Sequence, residues 1–339
     1  MKPPMAYYGG KTRLAPSIAA ALPEHLHYVE PYAGGLSVLL AKTPSRMETV
    51  NDLDGDLMCF WRVLRERPED LVRACALTPH SRAEHEDAYG DLSGLEEVER
   101  ARRVWVRLSQ GRAGTLKRTG WRHFVDAAAS RGSMPGNLHG YLERMLAAAA
   151  RLHEVSLECR PALELVESYG RHRSTLLYVD PPYLGSTGRT RNYRTEMMGQ
   201  GAHQDLARAL RSCRATVVLS GYDSDLYADL YGDWHRTELS TYTTQGTGAR
   251  ERTEVLWSNR ALSAPTAEGT PGLWEEGNEL VDEFRNTGTG CNETPERRCQ
   301  APGCGLPIPM AATGRRRRYC STACRVRSHR VAREEVGRG

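Results

Sequence analysis

Apolar positions in this chain fall into two regimes. Short apolar runs closed by Gly, Pro, Asn or Asp read as buried strands, and apolar residues spaced three or four apart read as helices. Leu176-Leu177-Tyr178-Val179 is the clearest strand. It stops at Asp180-Pro181-Pro182-Tyr183, where two successive prolines cannot continue a hydrogen-bond ladder, so the Asp180 carboxylate is expected at the carboxyl end of the strand. Further strands are expected at 27–32, 47–50, 154–159, 215–219 and 254–257, and helices at 37–41, 162–169 and 203–212. From about Asp56 to Arg151 the pattern is that of long helices rich in Arg, Glu and Ala. Strands alternating with helices point to an α/β fold, and open sheets of this kind bind ligands beyond the carboxyl ends of their strands.

The turn between the first two such elements carries Glu30-Pro31-Tyr32-Ala33-Gly34-Gly35. Strand, glycine turn and helix form the opening of a Rossmann-like unit, in which glycine lets backbone approach a ligand. The G-x-G-x-x-G fingerprint is absent, which counts against a dinucleotide. Asp52 lies eighteen positions after Gly34 at the end of the next strand, a distance that suits ribose hydroxyls; a turn or cap aspartate is the alternative. Gly10-Lys11-Thr12 resembles the end of a P-loop, but Met5 stands where the first glycine is required and no strand precedes it, so the triphosphate reading is rejected.

Composition changes this picture at the carboxyl end. Residues 297–339 carry 11 Arg against 2 Glu, a net of +9, while the whole chain is +4 and the remainder therefore −5. A basic tail on a mildly acidic body suits a polyanion, although charge runs are often only solvated surface. Basic residues also recur between 62 and 131, and the polar, glycine-broken loop 110–121 holds Arg112, Lys117 and Arg118, suited to phosphates or base edges. Arg250 and Arg252 lie in a Gly- and Thr-rich segment expected to be a hairpin loop. No stretch approaches the ~18 apolar residues of a membrane helix and no signal sequence opens the chain, so a cytoplasmic setting without membrane contact is expected. Five cysteines are scattered and read as inert thiols. The other four form the pairs Cys299-x4-Cys304 and Cys320-x3-Cys324, a tetrahedral structural zinc pattern. Arg316 and Arg317 lie between the pairs, so the module reads as a nucleic-acid contact, with protein docking as the alternative.

Tyr7 to Lys11, Glu30 to Gly35, Asn51-Asp52 and Asp180-Pro181-Pro182-Tyr183, in that order, resemble the Dam-type (D12 class) DNA N6-adenine methyltransferases over about residues 5–260. The resemblance implies a mixed, Rossmann-like sheet that binds S-adenosylmethionine, with a helical target-recognition insertion before the catalytic motif. Carried onto this chain, it implies that Tyr7, Lys11 and Asp52 contact the cofactor, that Glu30 and Gly34 shape its pocket, and that Asp180 borders cofactor and substrate. Leu36 departs from the family's second glycine, and Cys159-Arg160-Pro161 lacks an acid common there.

The expected organisation is a catalytic domain of residues 1–61 and 152–260, an insertion of 62–151, a linker of 261–297 and a basic zinc module of 298–339. The expected reaction is methyl transfer to N6 of an adenine flipped out of double-stranded DNA. Asp180 and the Pro181 carbonyl would accept the two N6 hydrogens, and Tyr183 would stack on the base. Cytosine N4, RNA adenine or a protein amide as acceptor, and a noncatalytic DNA-binding protein, remain the alternatives. The recognition sequence and the oligomeric state are not encoded in any pattern found.

Overall fold

A computed structural model of the chain describes residues 1–126, 132–182, 199–243, 250–262 and Cys304. Contacts divide the chain into two units, Met1–Glu268 and Gly269–Gly339, and in the second only Cys304 is described. Tyr183, Cys299, Arg316, Arg317, Cys320 and Cys324 lie outside the described residues, as do the side chains of Arg250 and Arg252.

The first unit begins with α1 (Ala15–Ala21), β1 (His27–Glu30), α2 (Ser37–Ala41) and β2 (Met47–Asn51). Then come α3 (Gly55–Glu66), α4 (Pro68–Ala76), α5 (Arg82–Asp87), α6 (Glu97–Gln110), α7 (Met134–Leu142) and α8 (Met145–Leu152). After them follow β3 (Val155–Glu158), α9 (Ala162–Tyr169), β4 (Thr175–Val179), α10 (Gln200–Arg211), β5 (Thr216–Gly221), α11 (Asp225–Tyr231), β6 (His235–Thr243) and β7 (Arg250–Ser258). Among the described residues the strands form one seven-stranded sheet in the order β3-β2-β1-β4-β5-β7-β6. The first five are parallel, and β7 runs antiparallel to both β5 and β6. This is the α/β, Rossmann-like sheet expected from the sequence.

Side chains alternate across the sheet with the period of two that strands impose. Tyr28, Leu176, Tyr178, Val218 and Leu256 pack on one face with α2, α3, α6 and α8, while Val29, Leu177, Val179, Leu219 and Trp257 pack on the other with α9, α10 and α11. Burial on both faces is what makes β4 a continuous apolar run rather than an alternating one. Two boundaries differ from the sequence reading. Helix α10 begins at Gln200, three residues early, and the flanks of the segment expected to be a hairpin loop belong to the ladder, because β6 and β7 remain paired out to Thr243 and Arg250.

The helical segment between β2 and β3 is fastened to the chain's first residues. Trp105 donates from Nε1 to the Pro4 carbonyl (3.1 Å) and Arg144 from Nε to that of Pro3 (3.0 Å). Its arginines are largely committed to acids: Arg62 to Glu97, Arg67 to Asp70 and Glu96, Arg100 to Asp56, and Arg102 to Glu84 and Glu99. The basic character seen in the sequence over this whole segment therefore narrows to the loop after α6.

Glu48 of β2 anchors the far end of the sheet. It is 4% exposed and accepts from Lys42 Nζ (2.6 Å), Arg151 Nη1 (2.5 Å) and Ser45 N (3.0 Å). Burial alone would push its carboxyl up, but the hydrogen bonds from Arg151 and Lys42 outweigh it and hold the group below its usual 4.5. A Glu48→Gln substitution leaves two buried cations without their anion and is expected to lower unfolding free energy by about 3–5 kcal/mol in denaturant titrations. Because the folded-state value is depressed, this contribution is present above pH 4.5 and fades as pH falls below it, so the gap between wild type and variant should narrow in acid.

Candidate active site

Strand β1 is followed outward by β2 and β3, and the chain then returns to place β4 on the other side of β1. Helix α2, which follows β1, packs on one face of the sheet, and α10, the first helix after β4 among the described residues, packs on the other. Parallel strands whose connections part in this way leave a crevice at their carboxyl ends. A cavity of about 270 Å³ opens there, lined by the loop Tyr7–Lys11, the turn from Glu30 to Ser37, Asn51–Asp54, Gly114–Leu116, Pro161–Leu163, Tyr178, Asp180 and Pro182. The structure thus brings together Tyr7, Lys11, Glu30, Gly34, Asp52, Asp180 and Pro182 from segments far apart in sequence.

The turn after β1 is shaped for close packing. Gly34 has φ +47°, and a Cβ there would stand 2.7 Å from a ring atom of Tyr7; at Gly35 it would stand 2.9 Å from the Tyr7 Cβ. The next residue, Leu36, also has a positive φ of 54° and is fully buried. It is the only non-glycine of that kind among the described residues, at the position where the family resemblance expects glycine. Burial of the isobutyl group holds a backbone conformation that leucine otherwise disfavours.

Asp52 seals the turn from the β2 side. Its carboxylate accepts from Gly34 N (3.0 Å) and Asp54 N (2.9 Å), and burial, against these bonds, pushes its value up to about 6. The preceding Asn51 ties three strand ends together, donating to the Pro31 (2.9 Å) and Arg160 (3.0 Å) carbonyls and accepting from Arg160 N (2.9 Å). Glu30, 3% exposed, accepts from Tyr28 OH (2.9 Å), and burial raises it to about 8.

Asp180 follows β4 directly, and its Oδ1 lies 2.9 Å from Lys11 Nζ. Lys11 is 7% exposed and lies 3.4 Å from a second carboxylate, Glu254 Oε1 of β7. Glu254 is 2% exposed and accepts from Ser220 Oγ (2.7 Å). Sequence reasoning took Glu254 as a strand residue only; its one sequence signal is an acid directly before the apolar run Val255-Leu256-Trp257.

The basic loop supplies a further wall of the cavity. Gly114 accepts at its carbonyl from Tyr8 N (2.7 Å), and Thr115 and Leu116 are buried. Arg112 and Arg118 are exposed on the same loop, and Lys117 is half-buried. Trp121 stacks between His80 and His123, with ring centroids at 4.4 and 5.0 Å. The loop therefore reaches the pocket at its middle and presents cations and aromatics on either side of that point.

The donor set fits S-adenosylmethionine. Gly34 and Gly35 leave room for the Tyr7 ring in the pocket wall, Asp52 offers acceptors for hydroxyls, and five acids (Glu30, Asp52, Asp54, Asp180 and Asp205) against one lysine make the pocket suited to a cation. Among the described residues no group of His, Cys, Asp and Glu could hold a metal, and no helix is long and apolar enough to cross a membrane.

The chain is similar to known proteins over most of their length. The chain is 25% identical over 277 residues to the type II methyltransferase M1.LlaDCHI of Lactococcus lactis subsp. cremoris, covering 76% of this chain and 95% of that protein. It is 25% identical over 268 residues to the DNA adenine methylase of Salmonella typhi, covering 74% and 92%. Among solved structures, a putative methyltransferase from Streptococcus mutans in complex with SAH aligns over 73% of this chain and 96% of that one, at 7% identity and a TM-score of 0.29. The profile of the D12 class N6 adenine-specific DNA methyltransferases matches residues 7–114 and 140–245, so the chain belongs to that family.

Proposed function

We propose that the crevice between β1 and β4 is where this adenine-specific DNA methyltransferase carries out its reaction, and that Asp180, Pro181, Pro182 and Tyr183 form the catalytic face. The observation that carries the reading is the Lys11–Asp180 ion pair at the wall of a cavity suited to a cationic nucleoside. S-adenosylmethionine, the family's cofactor, supplies an electrophilic methyl group on a sulfonium. Tyr7, Lys11, Glu30, Gly34 and Asp52 would hold it, Asp52 through its hydroxyls and Tyr7 through ring contact.

Adenine N6 is a poor nucleophile because its lone pair is delocalised into the ring. Two acceptors on its two hydrogens localise that pair and orient it, which is catalysis by positioning and electrostatics without a covalent intermediate. Asp180, fixed by Lys11, accepts one N6–H and the Pro181 carbonyl accepts the other. A base inside a duplex cannot reach such a pocket, so the adenine is flipped out of double-stranded DNA, and Tyr183 offers a ring on which it stacks. Arg112, Lys117 and Arg118 contact the DNA, in line with their place on a loop whose middle lines the cavity. Arg250 and Arg252, at the start of β7, add further DNA contacts. The helical segment 62–151 acts as the target-recognition insertion between the two parts of the catalytic domain, 1–61 and 152–260.

Residues 298–339, beyond a linker of 261–297, form a basic module in which Cys299, Cys304, Cys320 and Cys324 bind zinc. Four thiolates in two close pairs are the donor set of a structural site, and metal binding supplies folding energy that so short a segment lacks. Arg316 and Arg317 add phosphate contacts.

Incubation with unmethylated DNA and labelled cofactor, followed by digestion to nucleosides, should yield N6-methyladenine at a short repeated sequence. Asp180→Ala should abolish the label while melting like wild type; near-normal transfer by a folded variant removes Asp180 from its role. Glu30, raised to about 8 from 4.5, contributes stability that is complete below pH 4.5 and is lost as pH rises through 8. Glu30→Gln should therefore melt increasingly above wild type as pH rises from 5 to about 9, with no gain in acid. The intact protein should contain one zinc per chain, lost on Cys320→Ser, and removal of 298–339 should weaken DNA binding and flatten its salt dependence while sparing methyl transfer. Unchanged affinity and salt slope would assign the tail to protein contacts.

A further inference from the structure

Glu254 is a buried acid beside the reaction centre to which the reaction above gives no task. It stands in β7, at the end of the sheet that pairs antiparallel, and is 2% exposed. A carboxylate withdrawn this far from water is costly unless it is paired and hydrogen-bonded. Both requirements are met by groups that lead to the reaction centre: Ser220 Oγ of β5 donates to Oε1 (2.7 Å), and the same oxygen lies 3.4 Å from Lys11 Nζ. Lys11 in turn sits 2.9 Å from Asp180 Oδ1. Two acids thus share one buried ammonium, one of them on the cavity wall and the other behind it.

We propose that Glu254 is a positioning residue: with Ser220 it holds the Lys11 ammonium charged and aimed at Asp180, and so fixes the carboxylate that receives the N6 hydrogen. This rests on the reading of Asp180 given above. Lys11 is faced by Asp180, by Glu254 and by Tyr222 beyond β5. Glu30, Tyr178 and Tyr227 lie within electrostatic reach of Asp180. Burial works against the Lys11 charge, and the two acids more than offset it, leaving the group above its usual value. Without Glu254, burial is opposed mainly by Asp180, so the ammonium gives up its proton at lower pH.

The full-length protein with Glu254→Gln tests this, because the amide keeps an oxygen for Ser220 but loses the charge. The chain has four lysines, so selectively labelled lysine follows Lys11 by NMR, assigned with Lys11→Arg. The Lys11 midpoint is expected to fall by about one unit or more in Glu254→Gln. In the same variant kcat should drop about tenfold or more, with KM for DNA unchanged and a new alkaline loss between about pH 8 and 10. Glu254→Asp, which restores the charge, should return the midpoint and the profile toward wild type. A Glu254→Gln protein with the wild-type Lys11 midpoint and pH profile overturns the proposal, whatever its melting temperature. Should that variant not fold, Ser220→Ala must show a smaller fall in kcat with the same alkaline drift, and unchanged kinetics there overturn it equally. Asp180→Ala retaining transfer would sink the reading of the site itself; Asp180→Ala inactive with Glu254→Gln unaffected would sink only the positioning role.

Discussion

The structure depends on neutralising one buried ammonium. Lys11 has its charge inside the protein, where an isolated ion is not tolerated, and its compensation comes from the end of β4 and from β7. Those two strands are separated in the sheet by β5, whose Ser220 completes the arrangement. The ion group therefore joins the loop before α1, the parallel part of the sheet and its antiparallel end. The cavity lies on the open side of this group because β1 and β4 send their connections to opposite faces.

Around that charge the remaining walls are built by shape. Glycine at 34 and 35 lets the Tyr7 ring lie on the turn after β1, Asp52 ties the turn to β2, and Asn51 ties β2 to the ends of β1 and β3. These bonds join segments 18 to 109 positions apart, which no single motif could fix. Leu36 shows how much packing contributes: a left-handed leucine persists because its side chain is completely enclosed.

Much of this was legible in the residues. Two prolines after an apolar run locate Asp180 at a strand end without any knowledge of the fold, and the eighteen-residue interval from Gly34 to Asp52 reflects one helix and one strand of a crossover. Glu254 was not legible, because an acid in a strand has no periodic signature and its meaning comes from a lysine 243 positions earlier. Nor was the role of Gly114 to Leu116, whose approach to Tyr8 is set by tertiary packing. The arginines between 62 and 107 looked like a nucleic-acid surface because composition counts charges and cannot see Glu84, Glu96, Glu97 and Glu99 paired with them.

The span of the Lys11 group bears on synthesis. A chain leaves the ribosome amino terminus first, so Lys11 is made long before Asp180, 169 positions on, and longer still before Glu254. Until β7 has been translated, the lysine has at most one of its two acids and the parallel strands lack their antiparallel edge. A nascent or prematurely terminated chain that already contains every residue from Tyr7 to Pro182 is thus still short of the charge balance of the finished pocket, and the last strand of the sheet acts as a completion signal for the site assembled from the first.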